Sequence, residues 1–479
     1  MGLKSNAFVT LKWSFFQQTS NQILSFFLSV FLARLLVPAD FGLMGMIYII
    51  LTIGTVLIDS GLSTSLIRTD KIGEKELSTV FYANIGIALF FYLIIFVTAP
   101  FVADFYNQEI LIKLIRYQGL TLIFSSIWSI QNVLLIKELN FKKITILSLI
   151  SNFSGAIVGI LLAYNNYGVW SIVIMNNVTI IINTTLHWIY STWRPKLQFD
   201  KEIFFYHYKF GYKLMIVQLF DAIFGNVYNL IIGKIYNINI LGYYTRADSF
   251  KKTIIFSIST PLKLILLPLL SSIKDDQEKL KKIYILLLQT VLLVISPVLL
   301  FCVVFAKPIF VLLFTAKWNL AVPYFQIVCL GGILYPINTY IVSFLNVKGR
   351  SDLVLKIDII KRIALALGIF VSLWFKDIYI LVWSQVYLSI FDFFVNLFVL
   401  KSILNYPILV QCKNISNVLL ISFSSAILIF FINRYMLEHV FNDFVSIIAG
   451  LMIFLVLNFA ILYYLNRNLY KTILITLRK

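Results

Sequence analysis

Apolar runs about as long as a bilayer is thick recur along this chain, with short polar or basic segments between them. A helix needs roughly 20 apolar residues to cross the hydrocarbon. Seven charge-free runs meet that length directly, at 13–33, 77–103, 117–136, 283–306, 318–347, 414–433 and 444–466. Residues 144–193 contain no Asp, Glu, Lys or Arg, which predicts two more spans joined at the turn Tyr164-Asn165-Asn166-Tyr167-Gly168. Five further runs, each interrupted by a charge or two, lie at 40–60, 210–233, 250–271, 354–375 and 378–400. The pattern therefore predicts an all-α integral membrane protein of about fourteen transmembrane helices.

Composition agrees. Hydrophobic residues make up 60% of the 479 and charged residues 13%, against about 25% charged in a soluble domain. The first span is expected to stay in the mature protein, because it is long, carries Gln17, Gln18, Asn21 and Gln22, and lacks a small-residue cleavage site. An even number of spans puts both ends on one side. With the termini inside, the inner segments hold 26 Lys and Arg and the outer ones 11, so both termini are expected in the cytoplasm. The net charge of +19 then reflects basic loops facing an anionic leaflet and implies no nucleic-acid partner.

Metal and cofactor chemistry find no foothold. Cys302, Cys329 and Cys412 lack CxxC spacing, and His187, His207 and His439 are scattered. Phosphate loops of the Walker type, HExxH and GxSxG are all missing. The longest aqueous loops, around 191–212 and 101–116, are too short for a catalytic domain. The chain reads as a non-enzyme whose function lies between its helices.

Polar residues inside the spans show where. In the first span Ser14, Gln18, Asn21, Gln22, Ser25 and Ser29 recur at intervals of three and four, which places them on one helical face. In the seventh, Gln218, Asp221, Gly225 and Asn229 do the same. Two readings fit such stripes: contacts that hold helices together, or the lining of a water-filled cavity. The stripes are also in register. Adding 200 maps Gln18 onto Gln218, Asn21 onto Asp221, Ser29 onto Asn229, Arg34 onto Lys234 and Gly42 onto Gly242. Six helices per unit would make the repeats parallel. The expected architecture is a six-helix bundle over 1–200, a second over 201–400, a central cavity between them, and helices 13 and 14 with a cytoplasmic tail over 401–479.

The segments Ala33-Arg-Leu-Leu-Val-Pro-Ala-Asp-Phe-Gly42 and Asp59-Ser-Gly-Leu-Ser-Thr-Ser-Leu-Ile-Arg68 resemble the N-terminal signature of bacterial Wzx-type polysaccharide flippases of the MOP exporter superfamily. Leu241-Gly-Tyr-Tyr-Thr-Arg-Ala247, Leu267-Pro-Leu-Leu-Ser-Ser-Ile-Lys-Asp-Asp276, Lys317-Trp318 and Gly349-Arg-Ser-Asp352 are similar to later blocks of that family, in order. The resemblance covers residues 1 to about 400. It implies a transporter of the bacterial inner membrane that turns a polyprenyl-pyrophosphate-linked oligosaccharide to the outer leaflet by alternating access, alongside a polysaccharide polymerase and glycosyltransferases. Its partners would be that substrate and the surrounding membrane lipids.

An anionic headgroup asks for cations in the cavity. Candidates are Lys12 and Arg34 in helix 1, Lys234 in helix 7, Lys263 in helix 8, and Lys361 with Arg362 in helix 11. Lys263 lies well inside an apolar stretch, bracketed by Pro261 and Pro268, which should bend the helix. It reads either as a cavity cation or as a side chain snorkelling to the interface. Lys361 and Arg362 either serve the cavity or pair with Asp358. The expected substrate cavity comprises Gln18, Asn21, Gln22, Gln218, Asp221, Asn229, Lys263, Lys361 and Arg362. Asp221 is the candidate for ion coupling, against a structural role as a carboxylate neutralised by nearby amides. Two other functions compete: a cation-coupled drug antiporter of the same superfamily, which would use Asp221 and Asp392, and a membrane glycosyltransferase or polymerase.

Overall fold

The computed structural model describes the backbone over residues 2–70, 72–272 and 276–465, and side chains from residue 12 onward except 261–272, 277, 351 and 465. Among the described residues all regular structure is helical. Two compact units divide between Thr245 and Arg246.

The first unit begins with α1 (Gly2–Leu35) and α2 (Pro38–Asp59). Pro38 opens α2 with a preset φ and a missing N–H that the first turn would not use. Asp40 Oδ2 accepts the Val37 N–H at 3.1 Å. At its far end the chain turns left-handed at Ser60 and Gly61 (φ 45° and 69°) and re-enters the helical region as α3 (Leu62–Arg68). Then come α4 (Glu74–Tyr106), α5 (Ile110–Lys137), α6 (Phe141–Tyr164) and α7 (Trp170–Tyr190), followed by α8 (Lys201–Gly225) and α9 (Val227–Ile235). α4 packs on α5, α6 on α7 and α1, and α5 on α7. Leu62, Leu66, Val80, Phe81, Ile130 and Val133 form the fully buried seam of α3, α4 and α5.

Asp200 caps α8 by accepting from the N–H groups of Glu202 and Ile203 at 2.9 and 3.2 Å, and it pairs with Lys75 at 2.6 Å. Lys196 pairs with Glu74. These contacts strap the segment before α8 onto the start of α4. The Lys75 hydrogen bond, more than the capped Ile203 amide, holds the Asp200 carboxyl below the usual carboxylate range.

α10 (Ile238–Ser272) leaves the first unit and enters the second. Its first turn meets that of α2 at van der Waals limit: a Cβ on Gly42 would run into the Ile238 carbonyl oxygen, and one on Gly242 into that of Pro38. Residues 38 and 238, like 42 and 242, are related by the 200-residue offset, so the contact is the same read from either helix. An offset first noticed in polar stripes thus reappears as a self-complementary backbone contact.

The second unit continues with α11 (Gln277–Val304), α12 (Ala306–Phe314), a 3₁₀ turn (Ala316–Ala321), α13 (Val322–Gly332), α14 (Tyr335–Val347), α15 (Ser351–Phe375) and α16 (Ile378–Leu404). It closes with α17 (Ile408–Ile432), a π turn (Asn433–Leu437), α18 (Glu438–Val440) and α19 (Asp443–Leu465). Its aromatic core stacks Phe250 on Phe325, centroids 5.1 Å apart, with Phe310 and Phe314 edge-on and Trp318 fully buried.

Eleven helices among the described residues are long and apolar enough to cross a membrane. The other three stretches expected to span fall on α1, α10 and α15: α1 and α15 are long enough but carry more polar or charged residues, and the side chains of the run expected in α10 lie partly outside the described residues. Two expected single spans are interrupted. The run 210–233 breaks at Asn226, whose Nδ2 donates to the Ala222 carbonyl at 2.8 Å. The run 318–347 divides into the 3₁₀ turn, α13 and α14, with Pro323 and Pro336 opening the last two. The sequence repeat starts its second copy at 201, whereas α8 and α9 pack within the first unit, against α2 and α4.

Candidate functional site

In the second unit four polar side chains meet between apolar helices. Lys361 on α15 directs its ammonium at Asn338 Oδ1 on α14 (3.2 Å) and lies 3.8 Å from Asp392 Oδ2 on α16. Asn338 Nδ2 donates to the same Asp392 oxygen at 3.3 Å, and Asn396, one turn beyond Asp392, donates to Asn338 Oδ1. Asn396 is fully buried. Lys361 and Asp392 are 15% and 22% exposed, so water contributes little to holding their charges. Two opposite charges drawn out of water hold each other here only because the amides complete their hydrogen bonding. The sequence reading placed Lys361 either in a cavity or beside Asp358. Its partner within ion-pair distance comes instead from the neighbouring helix.

That partner was legible in the sequence by depth. α15 and α16 form a hairpin with its turn at 376–377. Lys361 lies 14 residues before the last residue of α15, and Asp392 14 residues after the first of α16. At 1.5 Å per residue both sit about 21 Å from the turn. Arg362, next to Lys361, is half-buried.

In the first unit the two predicted stripes differ. Asn21 is half-buried and donates to Ser148 Oγ at 3.3 Å, while accepting from Asn152 Nδ2 at 3.1 Å, both on α6. Its amide is thus spent on joining α1 to α6. Gln22 is half-buried and Gln18 exposed. On α8, Gln218 and Asp221 are exposed, and Asn229 on α9 is half-buried. Gln18, Gln218 and Asp221 are therefore presented outward from the first unit, and Asn21 is turned into it. Lys234 lies on a different errand: its ammonium donates to the Phe105 carbonyl oxygen at 2.5 Å and rests 4.6 Å from that residue's ring, closing the C-terminus of α4. The side chain of Lys263, on α10, lies outside the described residues.

Two groups were missed by sequence reasoning. Asn338 looks like one more amide in a charge-free run, yet it holds both members of the Lys361–Asp392 pair. Arg246, noticed only inside the Tyr-Tyr-Thr-Arg block, is 4% exposed with its guanidinium 4.1 Å above the Phe314 ring. Among the described residues no group of three or more His, Cys, Asp or Glu is arranged to hold a metal ion.

Comparison with known proteins gives these helices a family. The model of a family described as "polysaccharide biosynthesis protein" matches residues 31–323, more than half of the chain. The chain belongs to this polysaccharide biosynthesis protein family. Its relatives include the lipopolysaccharide biosynthesis protein WzxC of Escherichia coli K12, 24% identical over 75% of this chain and 74% of that one. The succinoglycan biosynthesis transport protein ExoT of Rhizobium meliloti is also 24% identical, over 74% and 71%. In fold, this family member superposes on the lipid II flippase MurJ in an inward closed conformation with a TM-score of 0.79, over 96% of this chain and 99% of that one, at 17% identity.

Proposed function

We propose that this protein is a flippase for surface polysaccharide biosynthesis: it turns a polyprenyl-pyrophosphate-linked oligosaccharide from the inner to the outer leaflet of the bacterial cytoplasmic membrane by alternating access. The observation that carries this reading is the fold shared with a lipid II flippase over nearly the whole chain, joined to membership of a polysaccharide biosynthesis family. Fourteen helices with both termini in the cytoplasm complete the reading, because α1, α10 and α15 are long enough to span, and the polar residues of α1 and α15 suit a cavity lining better than a lipid-facing surface. The reciprocal contact of α2 with α10 supports two parallel six-helix halves, since a duplicated unit brings equivalent residues together at its axis.

In this scheme Gln18, Gln22, Gln218, Asp221 and Asn229 offer hydrogen bonds to sugar hydroxyls across the cavity. Lys263 and Arg362 attract the pyrophosphate. Lys361, already matched by Asp392, fixes the geometry of the second half and contributes less to substrate charge. A cation-coupled antiporter would need an available carboxylate, and Asp392 is engaged by Lys361 and Asn338. Asp221, exposed on its helix, is our choice for coupling transport to an ion. Glycosyltransferases would supply the lipid-linked substrate, and a polymerase would consume it on the outer face.

Deleting the gene in its host should abolish one surface polysaccharide and trap its lipid-linked repeat unit on the cytoplasmic face, where permeabilisation is needed for a lectin to reach it. Repeat units that reach the outer leaflet at the normal rate in the deletion strain would refute the proposal.

A further inference from the structure

A cavity of about 990 Å³ opens between α3 and α8, within the first unit. Arg68, Lys209 and Lys213 line it with Asp70, Tyr206 and Phe210, three cations against one anion. We propose that this cavity is a binding site for a lipid phosphate or pyrophosphate headgroup at the cytoplasmic face of the membrane.

The walls are built to keep their shape. Gly61 and Gly211 bring the α2–α3 corner and α8 together backbone to backbone: a Cβ on Gly61 would lie 2.5 Å from the Gly211 carbonyl oxygen, and Gly61 also needs its positive φ. In the cavity wall Ser65 Oγ is 2.8 Å from Nδ1 of the fully buried His207. These two contacts fix α3 against α8.

The cations are arranged for an outside ligand. Lys209 and Lys213 stand one turn apart on the same face of α8, a like-charge spacing that costs stability unless an anion lies between them. Both are exposed, and among the described residues neither pairs with a carboxylate. Arg68 rests its guanidinium 4.7 Å from the Phe210 ring centroid, which orients the planar donor fork suited to phosphate oxygens. The exposed carbonyls at the end of α3 would repel an anion, but Lys137 donates to the carbonyl oxygens of both Thr69 and Asp70 and offsets them. Tyr206, 67% exposed on the same face of α8, supplies an amphipathic rim.

Position selects the ligand class. The segments around 68–75 and 194–213 are both expected on the cytoplasmic side, and basic pockets between helices at that level are where acidic lipid headgroups sit. The inference does not require the flippase reading: a resident phospholipid would bind there in a protein of any transport function.

Full-length protein in detergent is titrated with dioleoyl phosphatidylglycerol, geranylgeranyl pyrophosphate and inorganic pyrophosphate, and binding is read by microscale thermophoresis. The double variant Lys209→Gln/Lys213→Gln should bind the lipid probes on the order of tenfold more weakly, a loss of about 1.4 kcal/mol. Arg68→Lys, which keeps the charge but loses the fork, should lose less. Lys282→Gln/Lys413→Gln, which removes the same charge elsewhere on the exposed surface, should bind as wild type. Weakening confined to geranylgeranyl pyrophosphate would assign the site to an isoprenoid carrier, weakening confined to phosphatidylglycerol to a leaflet lipid, and equal weakening with inorganic pyrophosphate to the anion alone. All three support the site. Binding unchanged in the Lys209/Lys213 variant, or weakened equally in the Lys282/Lys413 variant, overturns it.

Discussion

Asp221 and Asp392 are both carboxylates in apolar helices, and the fold treats them in opposite ways. Asp392 is drawn in among α14, α15 and α16, with an ammonium and an amide against it. Asp221 stands exposed on α8, five residues before the helix breaks at Asn226. A membrane protein can thus keep an acidic group either among packed helices with a cation against it or on an exposed helix face. The first solution ties three helices together; the second keeps the side chain at the surface of its helix.

The sharpest way to break this contrast is to unpair Asp392. Lys361→Ala leaves a largely shielded carboxylate without its cation, which should cost up to about 3–5 kcal/mol and sharply lower the protein's abundance in the membrane. Removing both charges in Lys361→Ala/Asp392→Ala should restore most of that abundance. A single variant as abundant as the double would show that the pair carries no structural burden. Next in size is Lys263. Lys263→Gln should lose surface polysaccharide at normal abundance, while Lys263→Arg retains it. On insertion scales a lysine at the centre of a membrane-spanning segment costs about 2.5 to 3.5 kcal/mol, and the sequence places Lys263 well inside an apolar run, which calls for a use. Wild-type export by the Gln variant would make Lys263 a snorkelling residue.

Exposure itself can be measured. In a background with Cys412, the half-exposed native thiol, replaced by Ser, Asp221→Cys should react with a water-soluble maleimide and Asn396→Cys should not. Equal labelling would erase the distinction between the two regions. The smallest effect concerns Asp200. Its folded pKa is depressed by Lys75, so its contribution to stability is present above the unfolded carboxylate pKa and lost as pH falls through the lower folded value. Asp200→Asn should therefore lower Tm slightly at neutral pH and not at all in strong acid, as read by differential scanning fluorimetry.

Residue pattern alone made an all-helical membrane protein legible, because twenty apolar residues have few other uses, and eleven of the expected spans are long apolar helices among the described residues. Breaks inside spans were harder. Nothing in 210–233 marks Asn226 as an interruption, since an asparagine in a membrane helix usually stays helical, and here its side-chain amide donates to the Ala222 carbonyl as α8 ends. Asn21 shows the limit of a stripe: its spacing places it with Gln18 on one face, yet that face is wide enough for α6 to take one residue and leave the other exposed. Lys361 found its partner through depth in a hairpin, a geometric relation that a one-dimensional scan for i, i+3 and i, i+4 neighbours passes over.

The central claim is that this chain moves a lipid-linked oligosaccharide across a bilayer. The most direct test reconstitutes the full-length protein into liposomes that carry the host's polyprenyl-pyrophosphate-linked repeat unit, first stripped from the outer leaflet by an added glycosidase. With an ion gradient imposed, the account predicts that fresh substrate becomes cleavable outside wild-type vesicles and stays protected in vesicles bearing Lys263→Gln. Protection unchanged by the wild-type protein, together with export of a cationic dye from the same vesicles, would contradict it.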